Sequence, residues 1–305
     1  MGAAEGLSVV VPLFNEAATL DELYRRLRAA LPESEIVFVD DGSTDGSAVV
    51  LGRIAHADPA ARLVRLAGNF GKTAALAAGL SVAREAWVAV LDADLQNAPE
   101  DLPLLHAKAL EGYDAVIGWR RRRRDPFLTK RLPSRVANRL ITAVTGAPVH
   151  DCGCGIAVFR RIPLADLPLS GNMHRLLPVH LHARGARVTE LEVRHFPRRH
   201  GRSHYGLERT YQVLIDLLVA GLLARSVRHP LWLFGGAGLL TLLAALGAGA
   251  YGFSRDSGAA LAAALILAIL SLPPFLLGTL AEAAVRAAPG SRAVKTYAVA
   301  ETVNC

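Results

Sequence analysis

The sequence predicts an α/β fold, a doubly wound sheet followed by two helices that cross a membrane. Three observations predict it. Over the first 120 residues, short apolar, β-rich runs alternate with helical stretches. Polar clusters recur where those runs end, and two long uncharged segments lie near the C-terminal end. Strand–helix alternation is the signature of a layered α/β domain.

Taken in order, Leu7–Leu13, Ile36–Asp40, Arg62–Leu66, Trp87–Leu91 and Ala115–Gly118 read as strands, largely apolar as parallel strands covered on both faces are. Ala18–Leu31, Gly46–Ala57, Lys72–Arg84 and Glu100–Leu110 read as the helices between them. Gly155–Arg160 and Val188–Val193 are expected as further strands. Such sheets bind ligands at the carboxyl ends of their strands. The polar clusters fall there: Asn15-Glu16 after the first strand, Asp40-Asp41-Gly42-Ser43 after the second, Asp92-Ala93-Asp94 after the fourth.

Between residues 134 and 145, Val136, Leu140 and Val144 recur every four residues, with Arg135, Asn138 and Arg139 between them. This gives one apolar and one basic helical face, suited either to a membrane interface or to packing on the domain. Residues 211–223 form a second amphipathic stretch. Pro230–Ser254 and Ser257–Ala281 then carry no charge, and each exceeds the ~20 residues needed to cross a bilayer. Only Arg255 and Asp256 separate them, so they read as a hairpin. Arg225, Arg228 and His229 precede it and Arg286, Arg292 and Lys295 follow it, which places both termini in the cytoplasm. The first seven residues lack the pattern of a cleaved signal peptide. The expected organisation is a catalytic domain over 1–206 with an interface helix at about 131–145. A juxtamembrane helix (207–229), the two spans (230–286) and a cytoplasmic tail (287–305) follow.

The 305 residues carry a net charge of +7, much of it in the unbroken Arg120–Arg124 run and in Lys130, Arg131, Arg135 and Arg139. Beside a membrane anchor this charge suits anionic lipid headgroups rather than nucleic acid; a solvated face is the plainer alternative. Three cysteines make no even disulfide framework, and Cys152-Gly153-Cys154 is too tight for a zinc knuckle. No Gly-x-Gly-x-x-Gly follows the first strand. Gly68–Thr73 fails as a phosphate loop because Leu66 stands where its first glycine is required. Dinucleotide-binding and P-loop NTPase functions are thereby excluded.

Asp92-Ala93-Asp94 is the sharpest feature. Carboxylates two residues apart just past a buried strand repel one another unless a cation lies between them. A hard divalent ion takes oxygen ligands and completes its shell with substrate phosphates, and Gln96 adds an amide oxygen. Capping the next helix is the alternative role. Asp40–Gly46 is a second acidic turn, either a turn with a helix cap at Ser43 or Asp45, or a carboxylate for a nucleobase or ribose.

Together, Val9–Glu16, Val39–Gly46, Asn69-Phe70-Gly71-Lys72, Asp92–Glu100 and Arg198–Tyr205 resemble the family-2 glycosyltransferases of GT-A fold. The resemblance is closest to the polyprenyl-phosphate, dolichol-phosphate mannose synthase-like branch, and it covers about residues 7–230. It implies inverting transfer of a sugar from a nucleoside-diphosphate sugar, UDP- or GDP-linked, to a polyprenyl phosphate. Pro12, Phe14, Glu16 and Asp41 would hold the nucleoside. Lys72 and Asp92 would also bind the nucleotide-sugar, Arg198 would clamp the donor diphosphate, and His204 could contact phosphate. Asp92, Asp94 and Gln96 would surround Mg²⁺ or Mn²⁺, with Asp94 central to catalysis. Arg120, Lys130, Arg131 and Ser134 would bind the acceptor phosphate. Two positions depart from the pattern: Asn97 stands where Asp is usual, and His204 where Lys is usual. No general base is required, because a phosphate monoester with its second pKa near ~6 is already largely dianionic. His174 reads either as an active-site residue or as a polar loop histidine. A homo-oligomer is compatible with the sequence. The alternatives are transfer to a glycolipid or polysaccharide hydroxyl, or a non-catalytic membrane scaffold.

Overall fold

The computed structural model describes residues 6–121, 138, 142, 145–165, 167, 169, 173–197, 230–287 and 297–305. Lys130, Arg131, Ser134, Arg198 and His204 lie outside the described residues, as do residues 207–229 and most of the expected interface helix.

The elements run β1 (Leu7–Leu13), α1 (Ala17–Ala30), β2 (Glu35–Asp40), α2 (Ser47–Ala57), β3 (Ala61–Leu66), α3 (Lys72–Val82) and β4 (Trp87–Leu91). They continue through a 3-10 turn at Pro99–Asp101, α4 (Leu102–Leu110), β5 (Ala115–Trp119), β6 (Ile156–Arg160) and α5 (Arg161–Ala165). A 3-10 turn at Met173–Arg175, α6 (Leu177–Ala183) and β7 (Val188–Glu192) follow, then α7 (Pro230–Ser254), α8 (Gly258–Ala287) and β8 (Val299–Val303).

All eight strands form one sheet in the order β7-β5-β6-β4-β1-β2-β3-β8. β1 pairs in parallel with both β2 and β4, β2 with β3, and β5 with β7. The chain moves outward from β1 to β2 and β3, then returns to place β4 on the other side of β1. That reversal between β1 and β4 is a topological switch point, where open α/β sheets bind ligands.

Strand alternation builds two layers of helix. Val9, Val11, Ile36 and Phe38 point to one face and join Leu20, Leu23 and Leu27 of α1, Leu51 and Ile54 of α2, and Leu102 and Leu105 of α4 in a single core. The three α1 leucines are spaced so that one helical stripe meets the sheet. α3 lies on the opposite face. Gly79 permits that contact, since a Cβ there would press into Val10 and come within 3.0 Å of Val39 Cγ2.

Two features differ from the sequence expectation. The sheet is mixed: β6 runs antiparallel between β4 and β5, so β5 is not the neighbour of β4. Residues 299–303 are a sheet strand, antiparallel to β3, rather than part of a plain tail. That strand belongs to the same compact unit as the N-terminal sheet.

α7 and α8 form the second unit, and the described spans Phe234–Ser254 and Gly258–Ala284 are long and apolar enough to cross a bilayer. They pack on one another through small residues, as membrane helices do. A Cβ on Gly238 would come within 3.0 Å of the Ser271 carbonyl, and one on Gly278 within 3.2 Å of Phe234 Cβ. Their remaining faces are exposed and apolar, with Trp232, Leu240, Leu246, Phe253, Leu265 and Leu280 all outward. A soluble core pair would be covered; by length and composition this pair could form a transmembrane hairpin.

Candidate active site

The loops at the carboxyl ends of β1, β2 and β4, with the start of α3, converge at the switch point. The β1–α1 loop is laced to the β2–α2 loop. The Asn15 N–H donates to Ser43 Oγ (2.9 Å), the Thr44 N–H to Asn15 Oδ1 (2.7 Å), the Glu16 N–H to Ser47 Oγ (3.1 Å) and the Ala17 N–H to Asp45 Oδ2 (2.9 Å). Asn15 adopts a left-handed backbone (φ 57), which asparagine tolerates better than most residues. Burial pushes the Asp45 carboxyl up, but hydrogen bonds from Ser47 and Ala17 outweigh it and hold it below the usual range.

Pro12 is buried in β1 with Val39 as its β2 partner. The β4 ladder ends at Val10, so proline's missing N–H costs no bond on that side. Phe14 and Glu16 follow it, half-buried at the strand's mouth. Asp41 is 3 % exposed, and both its oxygens are engaged: Phe70 N–H donates to Oδ1 (2.7 Å) and Gly71 N–H to Oδ2 (2.8 Å). Burial raises its pKa, those two N–H groups oppose the rise, and the neighbouring Asp40 adds to it. Asp41 therefore clamps the loop that starts α3. Gly42 (φ 73) lets the two loops touch, since a Cβ there would lie 2.6 Å from the Gly68 backbone.

Beyond β4, exposure alternates: Asp92, Asp94 and Gln96 are half-exposed while Ala93, Leu95 and Asn97 are buried. The segment is a turn rather than extended strand, with Leu95 in the left-handed region (φ 57), and this turn leaves the three oxygen-bearing side chains partly exposed while the residues between them are buried. The backbone is held by the Asp92 N–H on the Gly155 carbonyl (2.9 Å) and by Thr19 Oγ1, which donates to the Ala93 carbonyl (2.8 Å). Asp92 Oδ1 is paired with the Lys72 ammonium at the first residue of α3. Asp94 Oδ1 accepts the Gln96 N–H (3.1 Å). Among the described residues no three His, Cys, Asp or Glu side chains cluster as a closed metal cage. Two carboxylates and an amide oxygen on an open face instead suit a hard cation that keeps water and phosphate ligands.

Phe196 pairs with Gln96, its N–H donating to the Gln96 carbonyl (2.8 Å), and His195 bridges to Asn97. The segment leading to Arg198 thus reaches the Asp92–Gln96 motif two residues before that arginine. Arg120, the first residue of the basic run, has its side chain largely buried and held by the domain. Its Nε and Nη2 grip Asp151 at 2.7 and 2.8 Å, and Nη2 also donates to the Gly153 carbonyl (2.9 Å). Burial alone would lower its pKa; the Asp151 carboxylate overrides this and keeps it charged. Cys152 and Cys154 are free thiols pushed up to about 12 by burial, so they stay protonated.

Three contributors were not read from sequence. Asp151 anchors Arg120, Gly155 sits against Asp92, and Thr73 is hydrogen-bonded through Oγ1 to His174 Nδ1 (2.7 Å). His174, the partner of Thr73, was read from sequence either as an active-site residue or as a polar loop histidine.

Residues 8–167 match glycosyl transferase family 2. The chain is 35 % identical over 292 residues to the dodecaprenyl-phosphate galacturonate synthase of Rhizobium johnstonii, covering 90 % of this chain and 86 % of that one. It is 39 % identical over 217 residues to the undecaprenyl-phosphate 4-deoxy-4-formamido-L-arabinose transferase of Pseudomonas aeruginosa. That match takes in 70 % of this chain and 64 % of the relative's length. Among solved structures, glucosyl-3-phosphoglycerate synthase from Mycobacterium tuberculosis, crystallised with Mn²⁺, uridine diphosphate and phosphoglyceric acid, superposes with a TM-score of 0.58. At 22 % identity, over 73 % of this chain and 78 % of that one, it shares the fold. With its switch-point carboxylates and its GT-A sheet, the chain belongs to glycosyl transferase family 2 and is a glycosyltransferase.

Proposed function

We propose that this enzyme transfers a sugar, with inversion, from a nucleoside-diphosphate sugar to a polyprenyl phosphate at the cytoplasmic face of a membrane. The observation that carries the reading is the likeness to a dodecaprenyl-phosphate galacturonate synthase across 90 % of the chain. Pro12, Phe14 and Glu16 border the nucleoside end of the site. Asp41 serves it indirectly, by fixing the loop before α3.

Asp92 and Asp94, with Gln96, would hold Mg²⁺ or Mn²⁺. When bound, the ion supplies positive charge to neutralise the departing nucleoside diphosphate. Lys72 supplies a second positive charge beside Asp92. Arg198 and His204 are assigned to the donor phosphates, and the pairing of Phe196 with Gln96 supports this for Arg198. Lys130, Arg131 and Ser134 are assigned to the acceptor phosphate; Arg120, gripped by Asp151, would shape that end rather than move freely to a ligand. The acceptor dianion attacks the anomeric carbon without a protein base, because it carries no proton that must leave first.

Chain order bears on topology. β3 precedes the two apolar helices and β8 follows them, yet β3 and β8 are paired. Helices that cross the bilayer between them must therefore return the chain to the side it left, and the flanking basic residues assign that side to the cytoplasm.

The test is incubation of membranes carrying the protein with radiolabelled UDP- and GDP-sugars and undecaprenyl phosphate, with and without EDTA. Lipid-linked product from one donor, lost with EDTA and restored by Mg²⁺ or Mn²⁺, is expected. Product from no donor, or product indifferent to EDTA, overturns the acceptor or the metal assignment respectively.

A further inference from the structure

Four consecutive residues at the start of α3 are each fixed by a side chain from elsewhere. Asp41 takes the N–H groups of Phe70 and Gly71, Asp92 takes the Lys72 ammonium, and His174 takes the Thr73 hydroxyl. Thr73 is 3 % exposed, so its hydroxyl must find its partner within the protein. His174 supplies that partner from the 3-10 turn Met173–Arg175, 101 positions further along the chain.

These three anchors are not equivalent once a donor binds. Asp92 cannot give the same oxygen fully to Lys72 and to a cation with its diphosphate. On the donor site proposed above, a bound diphosphate would draw Lys72 from Asp92, so that tie would be the one donor binding loosens. Asp41 holds the turn from its N-terminal side and His174 from the side of the helix body. The turn keeps its place, with Lys72 aimed into the site, only while both remain.

We propose that His174 is a positioning residue for donor binding, which holds the first turn of α3 through Thr73 so that Lys72 meets the donor diphosphate. The proposal rests on the donor site proposed above. Its signature is a donor-side defect: weaker nucleotide binding and a raised donor KM, with the acceptor KM unchanged. One hydrogen bond of ordinary net strength corresponds to about a tenfold loss of affinity.

The experiment titrates UDP and GDP, with Mg²⁺, into the full-length protein in detergent, and then measures donor and acceptor KM. His174→Ala and Thr73→Val should each weaken the preferred nucleotide about tenfold, and the double variant should be no worse than either alone. His174→Asn, which can place a nitrogen or oxygen near the Nδ1 position, and Thr73→Ser should restore most of the affinity. Thr73→Val leaves the histidine untouched, so a folding failure of His174→Ala does not decide the outcome. Unchanged affinity in Thr73→Val, additive losses, or an acceptor-side KM defect would overturn the role of His174. A wild-type protein that binds neither nucleotide would instead remove the donor site itself.

Discussion

Gly155 lies directly against the Asp92 carboxylate, so close that a Cβ on residue 155 would overlap Oδ2 and come within 2.9 Å of Asn97 Nδ2. The same residue gives its carbonyl to the Asp92 N–H. The absence of a side chain at the entry to β6 is thus what allows Asp92 to stand where Lys72 can reach it. Neighbouring Asn97 is 3 % exposed and bordered by Cys154 Sγ at 3.9 Å, so its amide is confined while the partly exposed Asp92 carboxylate can turn.

Gly155→Ala is accordingly expected to damage the site more than the fold. Its backbone needs no left-handed geometry, so alanine is tolerated by the chain itself; the collision is with a side-chain end that can rotate. Rotation turns the Asp92 carboxylate out of the position it holds beside Asp94 and Gln96. Sugar transfer should fall at least about tenfold, the scale of one lost charge-assisted contact. Thermal unfolding should remain cooperative. Wild-type transfer by Gly155→Ala would show that the orientation of Asp92 does not matter.

The Arg120–Asp151 fork predicts a stability effect. Their side chains are 12 % and 5 % exposed, and removing one partner strands a buried charge. Asp151→Ala should cost about 3–5 kcal/mol. At about 2–4 °C per kcal/mol for a unit of this size, melting should fall by roughly 6–20 °C. Replacing both residues, Arg120→Met with Asp151→Leu, should recover at least half of the loss. Equal melting of wild type and Asp151→Ala would mean the pair is not formed in solution.

These two sites mark how far the sequence could be read. The strands β1 to β4 were legible, as was the position of Asp92–Gln96 at the carboxyl end of β4, because apolar runs of strand length ending in polar clusters report the element and where it stops. The antiparallel insertion of β6 was not: a buried strand reads the same in either direction, and nothing in Ile156–Arg160 names β4 and β5 as its neighbours. β8 was missed for a related reason. It is five residues long, largely exposed, and finds its partner β3 more than 230 residues back in the chain. Arg120 was read as an acceptor-phosphate residue within a basic run, because composition cannot show that Asp151 folds against it. The Thr73–His174 bond was likewise beyond periodicity, which reports faces of elements and not distant pairs.

Glu100 sets an acid-side dependence. Arg26 donates to its two oxygens at 2.8 Å each, and this bond, ahead of the opposing effect of burial, holds the carboxyl below its usual range. A carboxylate with a lowered folded pKa binds its proton later in the folded state than in the unfolded one. Its contribution is complete above the unfolded value, about 4.3, and disappears as pH falls through the folded value. Glu100→Gln should melt below wild type at pH 6, and the gap should close as the pH is lowered through about 4 and below. A gap that stays constant or widens on acidification would assign the effect to packing instead.

The docking of β8 turns on one amide. Residue 59 is a proline with no N–H, so the Ala55 carbonyl in the last turn of α2 loses the donor that a helix would normally offer four residues on. Asn304 replaces it, its Nδ2 donating to the Ala55 carbonyl at 2.6 Å and to the Ala61 carbonyl at 2.9 Å. The residue after β8 therefore closes a helix end nearly 250 positions earlier, with β8 itself hydrogen-bonded along β3. Asn304→Ala leaves those carbonyls without their donor, at a cost of about 1–3 kcal/mol, and melting should drop by a few degrees. Asn304→Asp should be worse, since a carboxylate offers the carbonyls no proton and adds repulsion. A protease site placed before residue 297 gives the complementary reading: cleavage should leave the tail bound to the wild-type sheet and release it from Asn304→Asp. Equal release from both would show that the ladder with β3 holds β8 without the amide.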